Sequence, residues 1–177
     1  INNPAQAIKA GIGFLTEDRK DEGLVLDFSI KDNITLPSTK DFIHHGLFDD
    51  KTATTFVKQL SERLNVKATD EEQMVGSLSG GNQQKVVLAK WIGIAPKVLI
   101  LDEPTRGVDV GAKREIYQLM NELAERGVPI IMISSDLPEI LGVADRIAVM
   151  HEGKIAGFLN KKEATQENVM QLATGGK

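Results

Sequence analysis

The stretch that decides the fold of this chain lies between residues 78 and 109. It reads LSGGNQQK at residues 78–85 and, after a helical run, VLILDEPTRGVD at residues 98–109. The first segment predicts a polar helix start opened by glycines, and the second predicts a buried strand that ends in two carboxylates. A place for an anion and a place for a metal ion with its water therefore lie within one short span, which favours nucleotide chemistry.

The helix start at residues 79–81 has the features of an anion site. Gly80 and Gly81 lack Cβ atoms, so a ligand can approach their backbone closely. The first N–H groups of a helix have no partner within it and lie at the positive end of its dipole, and the Ser79 hydroxyl adds a donor. Taken alone, however, Ser-Gly-Gly is more typical of a simple capped turn.

Two acidic residues follow the strand predicted at residues 98–101. Asp102 lies at the carboxyl end of this strand, the edge at which open α/β sheets place their ligands, and its carboxylate can hold Mg²⁺. Glu103 can orient or deprotonate an attacking water. The alternative is that both are solvated acids at a strand end, which is a common arrangement.

Composition places the chain among globular proteins of one domain. It has 177 residues and a mass of 19.3 kDa, with 41% hydrophobic and 26% charged residues. The net charge of −4 argues against a nucleic-acid partner, and the absence of cysteine excludes disulfides and thiol chemistry. No apolar run has the length of a membrane span, so we expect membrane association only through partner proteins.

Strands and helices alternate along the sequence. Apolar runs predict strands at residues 12–15, 98–101 and 130–133, and the four aliphatic residues of the second run indicate a strand buried on both faces. Apolar residues at helical spacing predict helices over residues 50–64, 79–95, 110–126 and 166–173. This alternation predicts an α/β fold with a mainly parallel sheet.

Shorter elements are predicted from turn and capping residues. Glu152-Gly153 between two apolar runs predicts a β-hairpin, and Asp136 with Glu139 predicts the start of a short helix. Asp32-Asn33 is predicted to cap a short helix around Ile34, and residues 44–46 are predicted to form a loop.

Together the two segments at residues 78–85 and 98–109 resemble the ATP-binding-cassette (ABC) ATPases. The signature motif, Walker B strand and D-loop of that family follow one another in this order and at about this spacing. TRGVDVGAK at residues 105–113 and EDRK at residues 17–20 are similar to the second ATPase domain of bacterial monosaccharide importers of the ribose type. The resemblance covers essentially the whole chain.

The resemblance implies a P-loop NTPase-like fold with a helical subdomain. Residues 28–95 would form the helical, signature-bearing subdomain, and residues 1–27 and 96–177 the remaining core. In this family two cassettes enclose ATP head to tail, and the signature of one faces the nucleotide of the other. The residues expected to bind a nucleotide held mainly by a partner domain are Ser79, Gly80, Gly81 and Asn82.

Other residues would serve the nucleotide on this domain's own side. The resemblance implies Asp102 as the metal ligand, Glu103 as the catalytic residue and Asp109 as a nucleotide-binding residue at the interface between the domains. Glu17 and Ser135 occupy the positions of a nucleotide-binding glutamine and of a switch histidine. The Glu17 carboxylate can bind Mg²⁺ but repels a γ-phosphate, and the Ser135 hydroxyl cannot carry the positive charge of an imidazole.

The phosphate loop of the family is absent from the sequence. No Gly-x-x-x-x-Gly-Lys-Ser/Thr occurs, although that loop and its lysine supply most of the grip on the β- and γ-phosphates. In a cassette this loop precedes the strand predicted at residues 12–15. We therefore expect a fragment, truncated before the phosphate-loop strand and helix and inactive on its own.

The missing strand also has a consequence for the sheet. In the family it lies between the strand at residues 130–133 and the strand at residues 147–150. Without it we expect these two strands to pair directly, or another chain to fill the gap by strand swapping or self-association.

The function implied by the resemblance is ATP-driven import of a monosaccharide, with ribose as the expected cargo, at the cytoplasmic face of the bacterial inner membrane. ATP and Mg²⁺ would be the cofactors. The partners would be transmembrane permease subunits, the other ATPase domain of the same full-length chain and, indirectly, a periplasmic sugar-binding protein, with no nucleic acid. Two alternatives stay open: a regulatory half that only donates its signature in trans, and a soluble ABC ATPase that acts on DNA or ribosomes.

Overall fold

The computed structural model describes residues 1–176 of the chain. Two compact units follow one another in sequence, the first covering Ile1–Ile133 and the second beginning at Ser134. Each unit has a hydrophobic core of its own. The predicted division at residues 28 and 95 is a different one, based on the family's subdomains, and stays a prediction.

Helices and strands alternate in the first unit. In chain order they are α1 (Pro4–Lys9), β1 (Ile12–Leu15), α2 (Ile30–Thr35), β2 (Ile43–His44), β3 (Leu47–Phe48), α3 (Asp50–Arg63), α4 (Gly80–Ile92), β4 (Val98–Asp102), α5 (Val110–Glu125) and β5 (Ile130–Ile133). A π-helical turn covers Arg19–Gly23, and 3-10 turns cover Leu36–Phe42 and Val75–Ser77. The strands and long helices predicted for these residues are confirmed, with ends that differ by a few residues.

The main sheet of the first unit is parallel and has the strand order β1-β4-β5. Phe14 of β1 lies opposite Ile100 of β4, which lies opposite Ile131 of β5. Because the strands are parallel, their carboxyl ends meet at one edge, where Asp102 is the last residue of β4 and lies opposite Ile133. The predicted α/β class with a parallel sheet is confirmed.

The two faces of this sheet differ in burial, which corrects one prediction. Leu99 and Leu101 are fully buried in the core, but Ile100 of the same strand is only half-buried. Its neighbours in the same row, Phe14 and Ile131, are 41% and 54% exposed. Strand β4 is therefore not buried on both faces as expected, because the described elements cover mainly the face that carries Leu99 and Leu101.

Helix α4 is largely buried, and it buries two lysines as well as its apolar residues. Val86, Val87 and Leu88 are all at most 1% exposed. The Lys85 ammonium donates to the Asn65 carbonyl at 2.8 Å and forms an ion pair with Glu115 of α5. Lys90 donates to the Gly23 carbonyl at 3.0 Å. Both buried charges thus have the partners that burial requires.

Two short segments differ from their predicted form. Helix α2 begins after Ser29, whose hydroxyl accepts a hydrogen bond from the Asp32 N–H at 3.0 Å, so Asp32-Asn33 lies inside the helix and does not cap it. Of residues 44–46, which were predicted to form a loop, His44 is the last residue of β2 and pairs with Leu47. His45 and Gly46 form the two-residue turn of the β2–β3 hairpin, and both adopt positive φ angles.

The second unit is a hairpin packed against a helix. Its elements are α6 (Leu137–Val143), β6 (Arg146–His151), β7 (Lys154–Asn160) and α7 (Gln166–Ala173). Glu152 and Gly153 form the predicted turn with φ angles of 46° and 75°, and Ile147, Val149 and Val169 are the buried core. In the described residues β6 pairs with β7 only, and β5 ends the three-stranded sheet. The direct pairing predicted for residues 130–133 and 147–150 is not found among the described residues, and the alternative, that another chain fills the gap, stays a prediction.

Candidate functional site

The start of α4 carries the residues predicted to bind an anion. Ser79 is the N-cap residue, but its hydroxyl makes no capping hydrogen bond to the helix backbone. It accepts instead from the side-chain amide N–H of Asn82 at 3.0 Å, and the Asn82 Oδ1 atom accepts from the Lys67 N–H at 2.9 Å. A serine before a helix commonly caps it through its hydroxyl, but Ser79 does not. Helix α4 has 13 residues, and its first N–H groups lie at the positive end of the helix dipole.

The two glycines at this helix start are explained by contacts within the chain. A Cβ built on Gly80 would lie 2.8 Å from the Arg19 Nη2 atom and 3.3 Å from the Gly107 carbonyl oxygen. A Cβ on Gly81 would lie 3.1 Å from the Ala112 methyl carbon. Any side chain would thus displace a neighbour, and the backbone N–H groups are the part of this segment that a ligand can use.

The turn after β4 is fixed by backbone contacts. Asp102 and Glu103 are half-buried at the carboxyl edge of the sheet, and the Glu103 N–H donates to the Ile133 carbonyl at 2.9 Å. Glu103 adopts a φ angle of +46°, in the left-handed region that disfavours a residue with a side chain. Gln84 of α4 donates from its amide to the Pro104 carbonyl at 2.7 Å, so the signature helix and this turn are directly bonded.

Glu17 forms an ion pair with Arg106, three residues after Glu103. Both side chains are more than half exposed, at 51% and 63%. The charge of the carboxylate at the expected nucleotide-binding position is thus neutralised within the chain. This pair is not predictable from local sequence pattern, because the two residues belong to different loops.

Asp109 is the N-cap residue of α5. Its carboxylate accepts a hydrogen bond from the Ala112 N–H at 2.9 Å, and this bond to the charged form lowers the pKa of Asp109 below its ordinary value. The carboxylate also lies beside Gly81, whose added Cβ would be 3.7 Å from the Asp109 Oδ2 atom. The predicted interface residue therefore lies next to the predicted anion site.

Ser135 belongs to the second unit, where it precedes α6. It is exposed, and the helix after it is capped by Asp136, whose carboxylate accepts from the Glu139 N–H at 3.3 Å. Its neighbour Ser134 donates a hydrogen bond to the Glu139 carboxylate. The remaining site residues lie in the first unit: Glu17, Ser79, Gly80, Gly81, Asn82, Asp102, Glu103 and Asp109.

Three residues of this region were not predicted as site residues. Arg19 donates from Nη1 to the Arg106 carbonyl at 2.8 Å and lies against Gly80, while Gln84 reaches the Pro104 carbonyl. Arg19 lies within the motif at residues 17–20, but a charged residue in a turn does not by itself indicate which backbone it contacts. Arg106 lies within the other quoted motif, and nothing in its pattern indicated its partner Glu17.

Asp102 and Glu103 are the two carboxylates that follow one another at the end of β4. Among residues 1–176 there is no group of three or more His, Asp or Glu side chains placed to bind one. A magnesium ion at Asp102 would thus take its other ligands from phosphate and water, as Mg²⁺ commonly does in nucleotide sites. In the same part of the chain, no helix is long and apolar enough to cross a membrane.

Comparison with known proteins settles the family. The model of the ABC transporter family matches residues 2–106, which is more than half of the chain. This chain belongs to the ABC transporter family. The matched residues of this ABC transporter chain include the α4 start, Asp102 and Glu103, whereas Asp109 and Ser135 lie beyond them.

Curated relatives of this ABC transporter chain carry a common name. It is 97% identical over 176 residues to the ribose import ATP-binding protein RbsA of Lactococcus lactis subsp. lactis, and this match covers 99% of the chain and 36% of the relative. It is 78% identical over 177 residues to RbsA of Streptococcus agalactiae serotype Ia and 64% identical to RbsA of Bacillus subtilis, again over 36% of each relative. The chain thus spans about a third of the length of these proteins.

Solved structures agree with the fold of this ABC transporter chain. A dimeric ATP-binding cassette in a post-hydrolysis state with ADP and Pi superposes with a TM-score of 0.74 at 21% identity, over 88% of this chain and 66% of the other. A second ATP-binding cassette of an ABC transporter gives a TM-score of 0.76 at 20% identity, over 97% and 71%. At these identities the likeness shows the fold alone.

Proposed function

We propose that this chain is part of an ATP-hydrolysing subunit that drives import of ribose across the bacterial inner membrane. The observation that carries the proposal is the 97% identity over 176 residues to a protein named for ribose import and ATP binding. The structure supports it with a helix start suited to phosphate and with two carboxylates at the end of a parallel strand. Because the chain spans about a third of its relatives, the activity is that of a subunit of their length.

The start of α4 would bind the γ-phosphate of a nucleotide held mainly by a second ATPase domain. Its N–H groups at Gly80 and Gly81 and the Ser79 hydroxyl are donors, and the helix dipole favours a negative charge there. Asn82 holds the Ser79 hydroxyl through the 3.0 Å hydrogen bond and would thereby orient it. Solved relatives of this fold include a dimeric cassette with ADP and Pi, which is consistent with a two-domain arrangement.

Asp102 and Glu103 would serve a second nucleotide. Asp102 would hold Mg²⁺, which neutralises charge on the phosphates when it is bound. Glu103 would accept a proton from the attacking water, and Asp109 would contact the facing domain. Glu17 and Ser135 would contribute the nucleotide contacts of the loop after β1 and of the segment before α6.

The partners would be permease subunits in the membrane, the other ATPase domain and, indirectly, a periplasmic sugar-binding protein. The subunit would lie at the cytoplasmic face of the inner membrane, held there by the permease. No feature of the first unit indicates a nucleic-acid partner, and the net charge of −4 is unfavourable for one.

A second candidate is a regulatory half that donates its signature and hydrolyses no nucleotide of its own. The observation in its favour is the carboxylate of Glu17 together with Ser135 at positions where an amide and an imidazole are expected in a fully active cassette. On this view the Ser79–Gly81 segment matters for turnover, whereas Glu103 does not.

The test is ribose uptake and ATP hydrolysis by the full-length subunit reassembled in vesicles with its permease and the sugar-binding protein. We expect ATP-dependent uptake of ribose and little uptake of other pentoses. Gly81→Asp, which puts a carboxylate at the phosphate position, should abolish turnover under both candidates. Glu103→Gln decides between them: a complete loss assigns hydrolysis to this domain, and full activity assigns it the regulatory role. Absence of any ribose-dependent turnover would refute the proposal.

A further inference from the structure

The Arg19 side chain contacts two of the family motifs from a third. Its Nη1 atom donates to the Arg106 carbonyl, 87 residues away in sequence, at 2.8 Å. Its Nη2 atom occupies the space beside Gly80, where a Cβ would come within 2.8 Å of it, and both Nη atoms would lie 3.5 Å from a Cβ on Gly107. The Arg19 guanidinium thus lies between the start of α4 and the backbone of Arg106 and Gly107, which follows Glu103 in the turn after β4.

The position of Arg19 is fixed by its own loop. Arg19 begins the π-helical turn Arg19–Gly23, and the Asp18 carboxylate caps this turn by accepting from the Lys20 and Asp21 N–H groups at 2.9 and 3.1 Å. The other end of the turn is held by Lys90 of α4, which donates to the Gly23 carbonyl at 3.0 Å. A π-helical turn is rare and often marks a functional segment. The turn is therefore attached to α4 near both ends of that helix.

The side chain and the backbone carbonyl of Arg106 have different partners. Its guanidinium pairs with Glu17, whereas its carbonyl receives the hydrogen bond from Arg19. The contact made by Arg19 is thus to backbone, so substitution of Arg106 does not remove it. The Nε atom of Arg19 is buried and makes no protein hydrogen bond among the described residues, so the guanidinium is held by its Nη atoms.

We propose that Arg19 is a positioning residue for ATP hydrolysis, which sets the start of the signature helix against the backbone of Arg106 and Gly107. This inference rests on the proposed function, because it needs a subunit that hydrolyses ATP. Gln84 supplies a second bond between α4 and the same turn through the Pro104 carbonyl, 2.7 Å away. With Arg19 in place, the signature donors and the turn that carries Glu103 keep one fixed separation. Its loss leaves α4 attached to this turn through Gln84, so that the separation can vary.

The experiment compares Arg19→Met, Arg19→Lys and the control Lys20→Met in the full-length subunit assembled with its permease. Methionine retains the apolar stem of arginine without its guanidinium. Because misplacement of catalytic groups by about 1 Å can cost on the order of a hundredfold, we expect kcat to fall about tenfold or more in Arg19→Met. The KM for ATP should change by less than about threefold, since the phosphate donors themselves remain. Lys20, exposed in the same turn, should leave both constants unchanged.

Arg19→Lys tests whether a positive charge at residue 19 is enough to maintain kcat. A lysine ammonium is a single point charge and cannot reach the Arg106 carbonyl and Gly80 together as a planar guanidinium does. We expect it to recover little of the lost kcat. Full activity of Arg19→Lys would overturn the proposal, and so would an unchanged kcat in Arg19→Met or a change confined to KM.

The variant Gly80→Ala tests whether Arg19 acts on turnover through its contact with the start of α4 or only stabilises the fold. The added methyl group would meet Arg19 at 2.8 Å, so in the wild-type background we expect it to lower kcat as Arg19→Met does. In the Arg19→Met background it should cost less, and additive effects of the two changes would contradict the proposed contact. Thermal unfolding of each variant shows whether it is folded; if Arg19→Met is not, Arg19→Lys and Gly80→Ala decide. A wild-type subunit without turnover refutes the proposed function, whereas an active wild type with unaffected Arg19 variants refutes this inference alone.

Discussion

The ion pair between Glu17 and Arg106 joins the loop after β1 to the turn after β4. We expect this pair to affect the local charge at residue 17 more than the stability of the fold. A carboxylate at position 17 would repel the γ-phosphate of a nucleotide on this domain, and the guanidinium of Arg106 offsets that charge. The residue that departs from the family pattern is thus accompanied by a second residue that compensates for it.

We expect Arg106→Gln to weaken nucleotide binding on this side of the full-length subunit, because Glu17 then keeps an uncompensated charge. One such charge near a protein surface is worth roughly 1 kcal/mol, or about fivefold in affinity. The double variant Glu17→Gln with Arg106→Gln should restore the affinity. Calorimetric titration with a non-hydrolysable ATP analogue measures it, and equal affinities of the single and double variants would contradict the compensation.

The same variants should barely change stability. Both side chains are more than half exposed, and exposed pairs contribute at most about 1 kcal/mol. We therefore expect the thermal midpoints of Arg106→Gln and of the wild type to agree within a few degrees, which circular dichroism can check on the same samples.

Lys90 should make stability rise with pH. Burial lowers the pKa of Lys90 below its ordinary value of 10.5, so the unfolded chain binds more protons than the folded chain between the two values. The stability of the wild type relative to Lys90→Met should therefore increase as the pH rises towards 10.5. Urea unfolding at a series of pH values from about 7 to about 10 measures this. The exposed Lys58→Met is the control, and a flat difference for Lys90→Met would contradict the prediction.

Lys31 should contribute a constant stability over the pH range in which the contribution of Lys90 rises. Its burial opposes the charged form, but hydrogen bonds to Asp50, at 2.5 Å, and to Glu72 outweigh burial and raise the pKa of Lys31 above 10.5. The stabilisation is therefore fully present below pH 10.5 and is lost only as the pH rises through the folded value. Because both carboxylate partners are largely exposed, Lys31→Met should cost about 1 kcal/mol, and the same amount at every pH from neutral to about 10. A cost that changed across this range would contradict the assignment.

Asp109 should stabilise α5 as an acceptor, whatever its role in the intact subunit. Asp109→Ala removes the hydrogen bond from the Ala112 N–H and should lower the thermal midpoint, whereas Asp109→Asn keeps an acceptor and should lower it less. Since this bond lowers the pKa of Asp109, its contribution is present above the ordinary value of 3.8 and fades as the pH falls through the folded value. Equal midpoints of the alanine variant and the wild type at neutral pH would disprove the capping role.

The pattern of the sequence was sufficient for the strands and helices that carry the site. Four aliphatic residues before Asp102 predicted β4, and the glycines before a helical run predicted the start of α4, because both patterns depend on neighbouring residues. The burial of Ile100 was not predictable in the same way, since it depends on what covers the second face of the sheet. The local sequence pattern therefore predicts that a strand forms but not which elements cover its two faces.

Contacts between distant loops could not be read from the sequence either. Arg19 and Arg106 are 87 residues apart, and their meeting depends on the paths of two loops. The partner of Ser79 illustrates the same limit: a serine before a helix predicts a cap, but a nearby asparagine amide takes its hydroxyl instead. Side-chain partners follow from the folded backbone, which local spacing determines only in part.

At residue 103 the left-handed backbone conformation favours one residue type for stability, whereas the proposed catalysis requires another. A residue with a side chain pays about 1 kcal/mol or more at a φ angle of +46°, whereas glycine and asparagine adopt it readily. A library of variants at this position that is selected for thermal resistance should therefore enrich glycine and asparagine. The same library selected for growth on the transported sugar should keep glutamate if Glu103 is catalytic. The two selections would diverge at this residue, and the extent of the divergence would measure how much the cell depends on that carboxylate.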